Sequence, residues 1–191
     1  IAAVEPWTLA LPSTGVWLRM ESGRRWSRGL SLDDPAALVD ALIPAGAPAA
    51  VAEASTGRAL AYARTRLAVA RHRLLDHPLV KFVLFPLVPA LPAFRLHQHI
   101  AFGGTFGEYH TYGLQAYLTA LGIWWASWAI GLVIFAALLR VIIETGTWLS
   151  LVVRRESAMG IRRTLEVSAR VVFYVGVPAW VLLRFWPWSP G

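Results

Sequence analysis

Long apolar runs in the second half of the chain dominate its pattern of hydrophobic and polar positions. Residues 114–139 contain no Asp, Glu, Lys or Arg, and this run exceeds the ~20 residues that a helix needs to cross a bilayer. Residues 167–186 form a second apolar run, with arginines near its ends and Pro178 inside it. The pattern predicts two transmembrane helices, one within 114–155 and one within 156–191, with a kink at the proline.

A third apolar segment, residues 79–94, carries prolines at every third position from Pro86 to Pro92. Each proline removes a backbone donor and crowds the preceding turn, so we expect no regular helix here. An extended chain would leave polar backbone groups unpaired in lipid. The segment is therefore predicted to be a short broken span or a re-entrant piece that other protein covers.

The first part of the chain has a mixed pattern, which indicates a small extramembrane region. Residues 1–50 predict strands at 16–20 and 25–30, then a helix whose N-cap is an Asp before Pro35, and a linker rich in Pro, Ala and Gly. Residues 51–78 interleave arginines with apolar residues, which predicts an amphipathic helix. That helix would lie on anionic headgroups or pack against a partner subunit, and the pattern favours neither.

Composition supports a membrane protein and excludes several other classes. The 191 residues are 57% hydrophobic, with a mean hydropathy of +0.52 and 15% charged residues, against ~25% charged in typical domains. Disordered segments are far more polar, and disulfide scaffolds or Cys-ligated metal centres need thiols that the chain lacks. We expect a mainly α integral membrane protein with two firm transmembrane helices, one Pro-broken segment and a small amino-terminal α+β region.

The distribution of positive charge predicts an orientation, because Lys and Arg accumulate on the cytoplasmic side. The chain has 18 Lys and Arg against 11 Asp and Glu, and the excess lies between apolar segments, which argues against a nucleic-acid partner. Residues 58–81 and 140–170 are basic, whereas residues 82–123 are almost neutral. Three crossings are favoured over two, with the 154–163 loop in the cytoplasm and the carboxyl terminus outside. The expected location is a bacterial inner membrane.

The segment 95–113 is the main candidate for chemistry, because this predicted loop combines histidines, glycines and a carboxylate. Without cysteine, imidazole nitrogens are the main side-chain ligands for a transition metal or a tetrapyrrole. The candidate cofactor ligands are His97, His99 and His110, joined by Glu108 in the case of a metal ion. Their spacing matches no specific signature, and hydrogen bonds to backbone or a partner explain the same residues. The favoured expectation is that the protein has no cofactor of its own.

Aromatic and paired charged residues predict contacts with lipids or neighbouring subunits. Trp is enriched at membrane interfaces, and an Arg one helical turn before a Glu forms an ion pair. Such a pair is expected to mark the cytoplasmic end of the first span, with a functional intramembrane pair as the alternative. The predicted contact residues are Trp124, Trp125, Trp128, Arg140, Glu144, Trp186 and Trp188.

These features favour a non-catalytic accessory subunit that bridges or positions other integral membrane subunits, with lipids as further partners. The spans are too few to enclose a pathway, and the proline-rich segment needs protein cover. An energy-transducing complex, respiratory or photosynthetic, is the expected setting. Two alternatives stay open: a metal-, haem- or chlorophyll-binding membrane protein that uses the histidine segment, and a small transporter or membrane enzyme.

Overall fold

The chain is mainly helical, with one small sheet near its amino terminus, which confirms the expected architecture at this level. The computed structural model describes residues 1–7, 14–26, 28–46, 48, 51, 56–67 and 75–185. The chain divides into two compact units. The first unit comprises Ile1–Ala70 and Arg140–Val167, and the second unit comprises Arg71–Leu139 and Ser168–Gly191.

The sheet of the first unit consists of three antiparallel strands in the order β1 (Ala3–Pro6), β2 (Gly15–Arg19) and β3 (Leu30–Ser31). β1 pairs with β2 over its full length, and β3 pairs with the first two residues of β2. The return strand predicted over 25–30 is therefore corrected. Arg25 makes only an isolated bridge to the end of β2, and β3 takes the edge position instead.

Two short helices pack with this sheet. Helix α1 (Pro35–Leu42) begins as the sequence predicts, because the Asp34 side chain accepts a hydrogen bond from the Ala37 N–H at 2.9 Å. Helix α2 (Arg58–Leu67) lies within the Arg-rich helix predicted over 51–78, of which residues 52–55 and 68–74 lie outside the described residues and residues 75–77 are not helical. The buried core of this region is Val4, Val16, Ala36, Val39, Val51 and Leu60.

In the part of the chain that the structure describes, three helical segments are long and apolar enough to cross a membrane: Val80–Phe102, Gly107–Val153 and Arg155–Phe185. The first contains a π-helical stretch (Val80–Leu84) and helix α3 (Leu87–Phe102), and the second is α4 (Gly107–Val153), in which two helical stretches meet at a kink. The third contains α5 (Ala158–Val171), a π-helical stretch (Val172–Gly176) and α6 (Val177–Phe185). The backbone of α4 is non-helical at Gly113, where φ is 86°.

The expectation that three prolines exclude a helix over 79–94 is wrong. Pro86 directly precedes α3, and Pro89 lies in its first turn. Backbone N–H groups in a first turn have no intrahelical acceptor, so a proline there removes nothing that the helix uses. Only Pro92 lies in the helix interior.

The predicted loop at 95–113 is likewise mostly helical. Residues 95–102 continue α3 up to Gly103, whose left-handed conformation at a φ of 73° ends the helix. Glycine is favoured at this capping position because it has no Cβ to strain. The non-helical connection to α4 is reduced to residues 103–106.

Each π-helical stretch ends two residues before a proline. Val80–Leu84 precedes Pro86, and Val172–Gly176 precedes Pro178. A proline ring crowds the carbonyl four residues earlier and offers it no N–H. A wider turn, in which each N–H donates five residues back, gives that carbonyl room without ending the helix. The predicted irregularity at Pro178 therefore takes the form of a π-helical turn.

Aromatic rings hold the second unit together. Phe173 is buried and stacks against Phe85 and Phe135, with ring centroids 5.1 Å and 6.2 Å apart. The ammonium group of Lys81 lies 4.9 Å from the same Phe173 ring, within the range of a cation–π interaction. Ring contacts of this kind join helices without exposing polar groups to an apolar medium.

Gly15 at the start of β2 is expected to tolerate no larger residue. A Cβ atom there would lie 2.3 Å from the carbonyl oxygen of Leu30 and 2.9 Å from the Trp7 ring. Gly15→Ala should therefore lower the free energy of unfolding by about 1–3 kcal/mol, measured by equilibrium denaturation in detergent micelles. The matched control is Gly104→Ala, because a Cβ at Gly104 meets nothing within 4 Å. Equal stabilities of the two variants would contradict this expectation.

Candidate functional site

Two oppositely charged side chains, Glu144 of α4 and Arg162 of α5, are fully buried in the first unit. Charged groups are rarely buried unless they are paired, and these two face each other directly. Nη1 of Arg162 lies 2.9 Å from Oε2 of Glu144, and Nη2 lies 3.3 Å from Oε1. One guanidinium therefore contacts both carboxylate oxygens, the bidentate geometry of the strongest Arg–carboxylate pairs.

Further groups surround this pair. The Tyr62 hydroxyl donates a hydrogen bond to Oε2 of Glu144, and Arg140 forms an ion pair with Oε1. Nε of Arg66 lies 3.8 Å from the same Oε1 atom. On the other side of the Arg162 guanidinium, Nε lies 3.1 Å from the Glu166 carboxylate. We call this set the Glu144 cluster: Tyr62, Arg66, Arg140, Glu144, Arg162 and Glu166.

The six residues of the Glu144 cluster form three pairs, one pair on each of three helices. Each of α2, α4 and α5 contributes two residues that lie four positions apart, and such residues share one face of an α-helix. The pairs are Tyr62–Arg66, Arg140–Glu144 and Arg162–Glu166. Gly146 of α4 allows α5 to approach closely because it has no side chain. A Cβ atom at this position would lie 2.7 Å from the Leu165 side chain of α5.

Apolar packing fixes the orientation of the cluster. Tyr62 is buried with Ala61, Leu151 and Ala158, which holds its ring while the hydroxyl reaches the carboxylate. Burial lowers the pKa of Arg66 below its ordinary value, and the neighbouring arginine of α4 adds to this effect by repulsion. The interior is thus apolar around a compact group of charges, where each ion pair is poorly screened by water.

The sequence identifies only part of this site. Arg140 and Glu144 pair as the spacing predicts, but they do more than mark the end of a span, because Glu144 is the centre of the cluster. Tyr62, Arg66 and Arg162 were not among the predicted site residues. Their spacing within each helix is visible in the sequence, but no local pattern tells which helices meet.

The predicted histidine ligands each have separate contacts. His99 lies 3.0 Å from the Thr105 hydroxyl, and the His97 ring packs beside Trp124 at a centroid distance of 5.5 Å. His110 packs against the neighbouring tyrosine ring. Among the residues that the structure describes, no group of three or more His, Asp or Glu side chains is arranged to hold a metal ion.

The candidate carboxylate of this segment pairs with a glutamine. Glu108 accepts a hydrogen bond from the Gln98 amide at 2.6 Å, and its backbone N–H donates to the Gln98 side-chain oxygen at 3.1 Å. Gln98 is completely buried, so this reciprocal pair fastens the end of α3 to the start of α4. Tetrapyrrole or metal binding by the histidines stays a prediction, to which this geometry adds no support.

The predicted tryptophan contacts are half-buried within the second unit. The Trp125 indole N–H donates to the Val83 carbonyl at 2.9 Å, and the Trp128 ring lies 6.3 Å from the Trp180 ring. Trp186 and Trp188 lie outside the described residues. The role of these side chains at lipid or subunit surfaces stays a prediction.

The chain matches no family model, no curated protein and no solved structure. The Glu144 cluster and the three apolar helices are therefore the features from which a function is inferred.

Glu144→Gln is expected to destabilise the first unit strongly, because three guanidinium groups lose their shared counter-ion. Breaking a buried ion pair by removing one partner costs about 3–5 kcal/mol. The loss is measured as the change in the free energy of unfolding in detergent micelles. Glu156→Gln is the control, since Glu156 is exposed and a change there is expected to stay within about 0.5 kcal/mol. Comparable losses in both variants would refute the central role of Glu144.

Proposed function

We propose that this protein is a non-catalytic subunit of a larger membrane complex, in which it positions other integral membrane subunits. The main supporting observation is the exposure of its apolar helices. In each candidate span, only a small share of the most apolar 18-residue stretch is buried within the chain. The share is 28% in the first span, 11% in the second and 17% in the third. Apolar surface of this extent needs lipid or protein cover. The energy-transducing setting expected from the sequence stays a prediction.

One face of α4 supports contact with a partner helix. A groove of about 470 Å³ runs along this face, and its lining residues are Ile123, Trp124, Ser127, Trp128 and Gly131. Ser127 and Gly131 are small and lie four positions apart, the spacing that lets two transmembrane helices approach closely. Two indole rings border the groove and supply large contact areas. A transmembrane helix of a partner subunit is its proposed occupant.

The Glu144 cluster supports a positioning role over a catalytic one. It fastens α2 to the first-unit parts of α4 and α5, so that the small sheet region and these helix ends form one body. Both carboxylate oxygens are occupied by donors. A carboxylate in this state is suited to fixing helices in place and poorly suited to accepting a proton from a substrate.

Charge and length support an orientation with the first unit in the cytoplasm. The 40 residues of α4 that follow the non-helical Gly113 would extend about 60 Å, about twice the ~30 Å hydrocarbon core, so part of α4 lies beyond it. No Asp, Glu, Lys or Arg occurs between Glu108 and Arg140, which leaves the Arg140 end as the protruding one. The arginines of 154–163 favour the cytoplasmic face for this end, in a bacterial inner membrane with the carboxyl terminus outside.

Extraction from native membranes in a mild detergent tests the proposal. The protein is expected to migrate on a blue-native gel in an assembly much larger than its 21.0 kDa chain, together with other integral membrane proteins. Migration as a single chain would remove the proposal.

Gly131→Leu is expected to release the protein from that assembly, because the new side chain fills the groove. Gly122→Leu is the matched control, since it lies about 2.5 turns earlier and thus on the opposite face of α4. A Cβ added at either glycine meets nothing within 4 Å, so both variants should fold. The two variants are compared on the same gel. Release by both, or by neither, would show that the groove is not the contact surface.

A further inference from the structure

The charges of the Glu144 cluster do not balance. Three guanidinium groups, those of Arg66, Arg140 and Arg162, face two carboxylates, those of Glu144 and Glu166. Arg162 contacts both carboxylates, whereas Arg66 and Arg140 share a single oxygen of Glu144. In the described part of the chain, neither of these two arginines has a second carboxylate as an ion-pair partner. Counted over the described residues, the cluster therefore carries one surplus positive charge, and the Arg66 side chain that shares in it is largely buried, which is costly.

Arg66 has an unused hydrogen-bond donor. Its Nε atom is buried and has no hydrogen-bond partner among the described residues, since the 3.8 Å separation from Glu144 is too long for a hydrogen bond. Its side chain is 13% exposed, whereas that of Arg140 is 38% exposed. The cluster is thus closed around Glu144 and open at its Arg140 rim. An anion that reaches this rim would meet guanidinium groups that are already held in place.

The position of the rim indicates which anion is within reach. Arg140 is the first charged residue that follows the uncharged run of α4, so in the proposed orientation the rim lies where this helix leaves the hydrocarbon. Phospholipid phosphates lie at this level of a bilayer. Guanidinium groups bind phosphate oxygens through paired hydrogen bonds, and they do so better than ammonium groups because of their planar geometry.

We propose that Arg66 and Arg140 form a binding site for a phosphate-bearing anion, which a phospholipid headgroup supplies in the membrane. The phosphate neutralises the surplus charge of the Glu144 cluster and accepts hydrogen bonds at its open rim. This site is separate from the helix groove of α4. The purified full chain therefore tests it without any partner subunit.

Native mass spectrometry of the full chain provides the lipid arm of the test. The chain is embedded in phosphatidylcholine nanodiscs that contain a minor fraction of phosphatidylglycerol, and the ratio of the two lipids retained on the protein is measured. The wild-type chain should retain phosphatidylglycerol selectively. Arg66→Gln and Arg140→Gln should each lower this selectivity about tenfold, as expected when one charge-assisted hydrogen-bond partner is lost.

Arg58→Gln is the matched control. It removes the same charge from the same helix, α2, but Arg58 is exposed and lies outside the cluster, so the selectivity should be unchanged. If Arg66→Gln fails to fold, the lipid selectivity of Arg140→Gln is the deciding measurement, because the Arg140 side chain lies at the exposed rim. An equal loss in Arg58→Gln would show a diffuse attraction between basic residues and anionic lipid and would overturn the site.

Inorganic phosphate provides the second arm and separates the two sources of the anion. The chain in an uncharged detergent is titrated with phosphate, and the melting temperature is followed. A rise that Arg66→Gln abolishes supports the site and includes soluble phosphate among its ligands. Lipid selectivity without such a rise supports the site and restricts it to headgroups. Absence of both responses in the wild-type chain overturns it.

Discussion

A buried carboxylate has to be compensated, and the first unit is arranged around this requirement at Glu144. Moving an ion into a protein interior costs several kcal/mol, a large part of the roughly 5–15 kcal/mol by which a domain is stable. The donors come from α2, α4 and α5. None of these helices is able to slide by a turn without removing a donor from the carboxylate. The charge therefore sets the register, which apolar packing alone specifies weakly.

The second unit contains most of the apolar helical length, and a helix surrounded by apolar groups needs internal partners for its backbone N–H and carbonyl groups. Pro86, Pro89 and Pro178 lie where this need is smallest, at the start of α3 and just after the two π-helical stretches, whereas Pro92 lies inside α3. The buried Phe173 ring packs at one of these irregular turns, and an indole N–H reaches the Val83 carbonyl at the other. Irregular backbone is tolerated near lipid when neighbouring side chains cover it in this way.

Local sequence signals predict the structure well where the cause is local, and fail where it is not. The Asp34 cap and the uncharged run of α4 both act within a few turns of one helix, and both are found as expected. Pro86 and Pro89, at the start of α3, mislead because their effect depends on where the helix begins, which residues 79–94 do not reveal. The meeting of Arg162 with Glu144 has no local signal at all. Arg162, a residue of a predicted basic loop, becomes a fully buried charge only because α5 packs against α4.

Stability alone does not explain why the Glu144 cluster consists of charged residues, because apolar residues of similar size commonly stabilise a buried site equally well or better. Two consequences of the Glu144 cluster would be lost in an apolar version. The first is the fixed helix register, which follows from directional hydrogen bonds to one carboxylate. The second is the surplus guanidinium charge at the Arg140 rim, because only an unbalanced cluster attracts an anion from outside. A neutral pair of one Arg and one Glu would provide the register alone. The pair of Arg162 and Glu144 is enough to fix the helices. Arg66 and Arg140, which add positive charge beyond that pair, are therefore the residues that indicate a ligand.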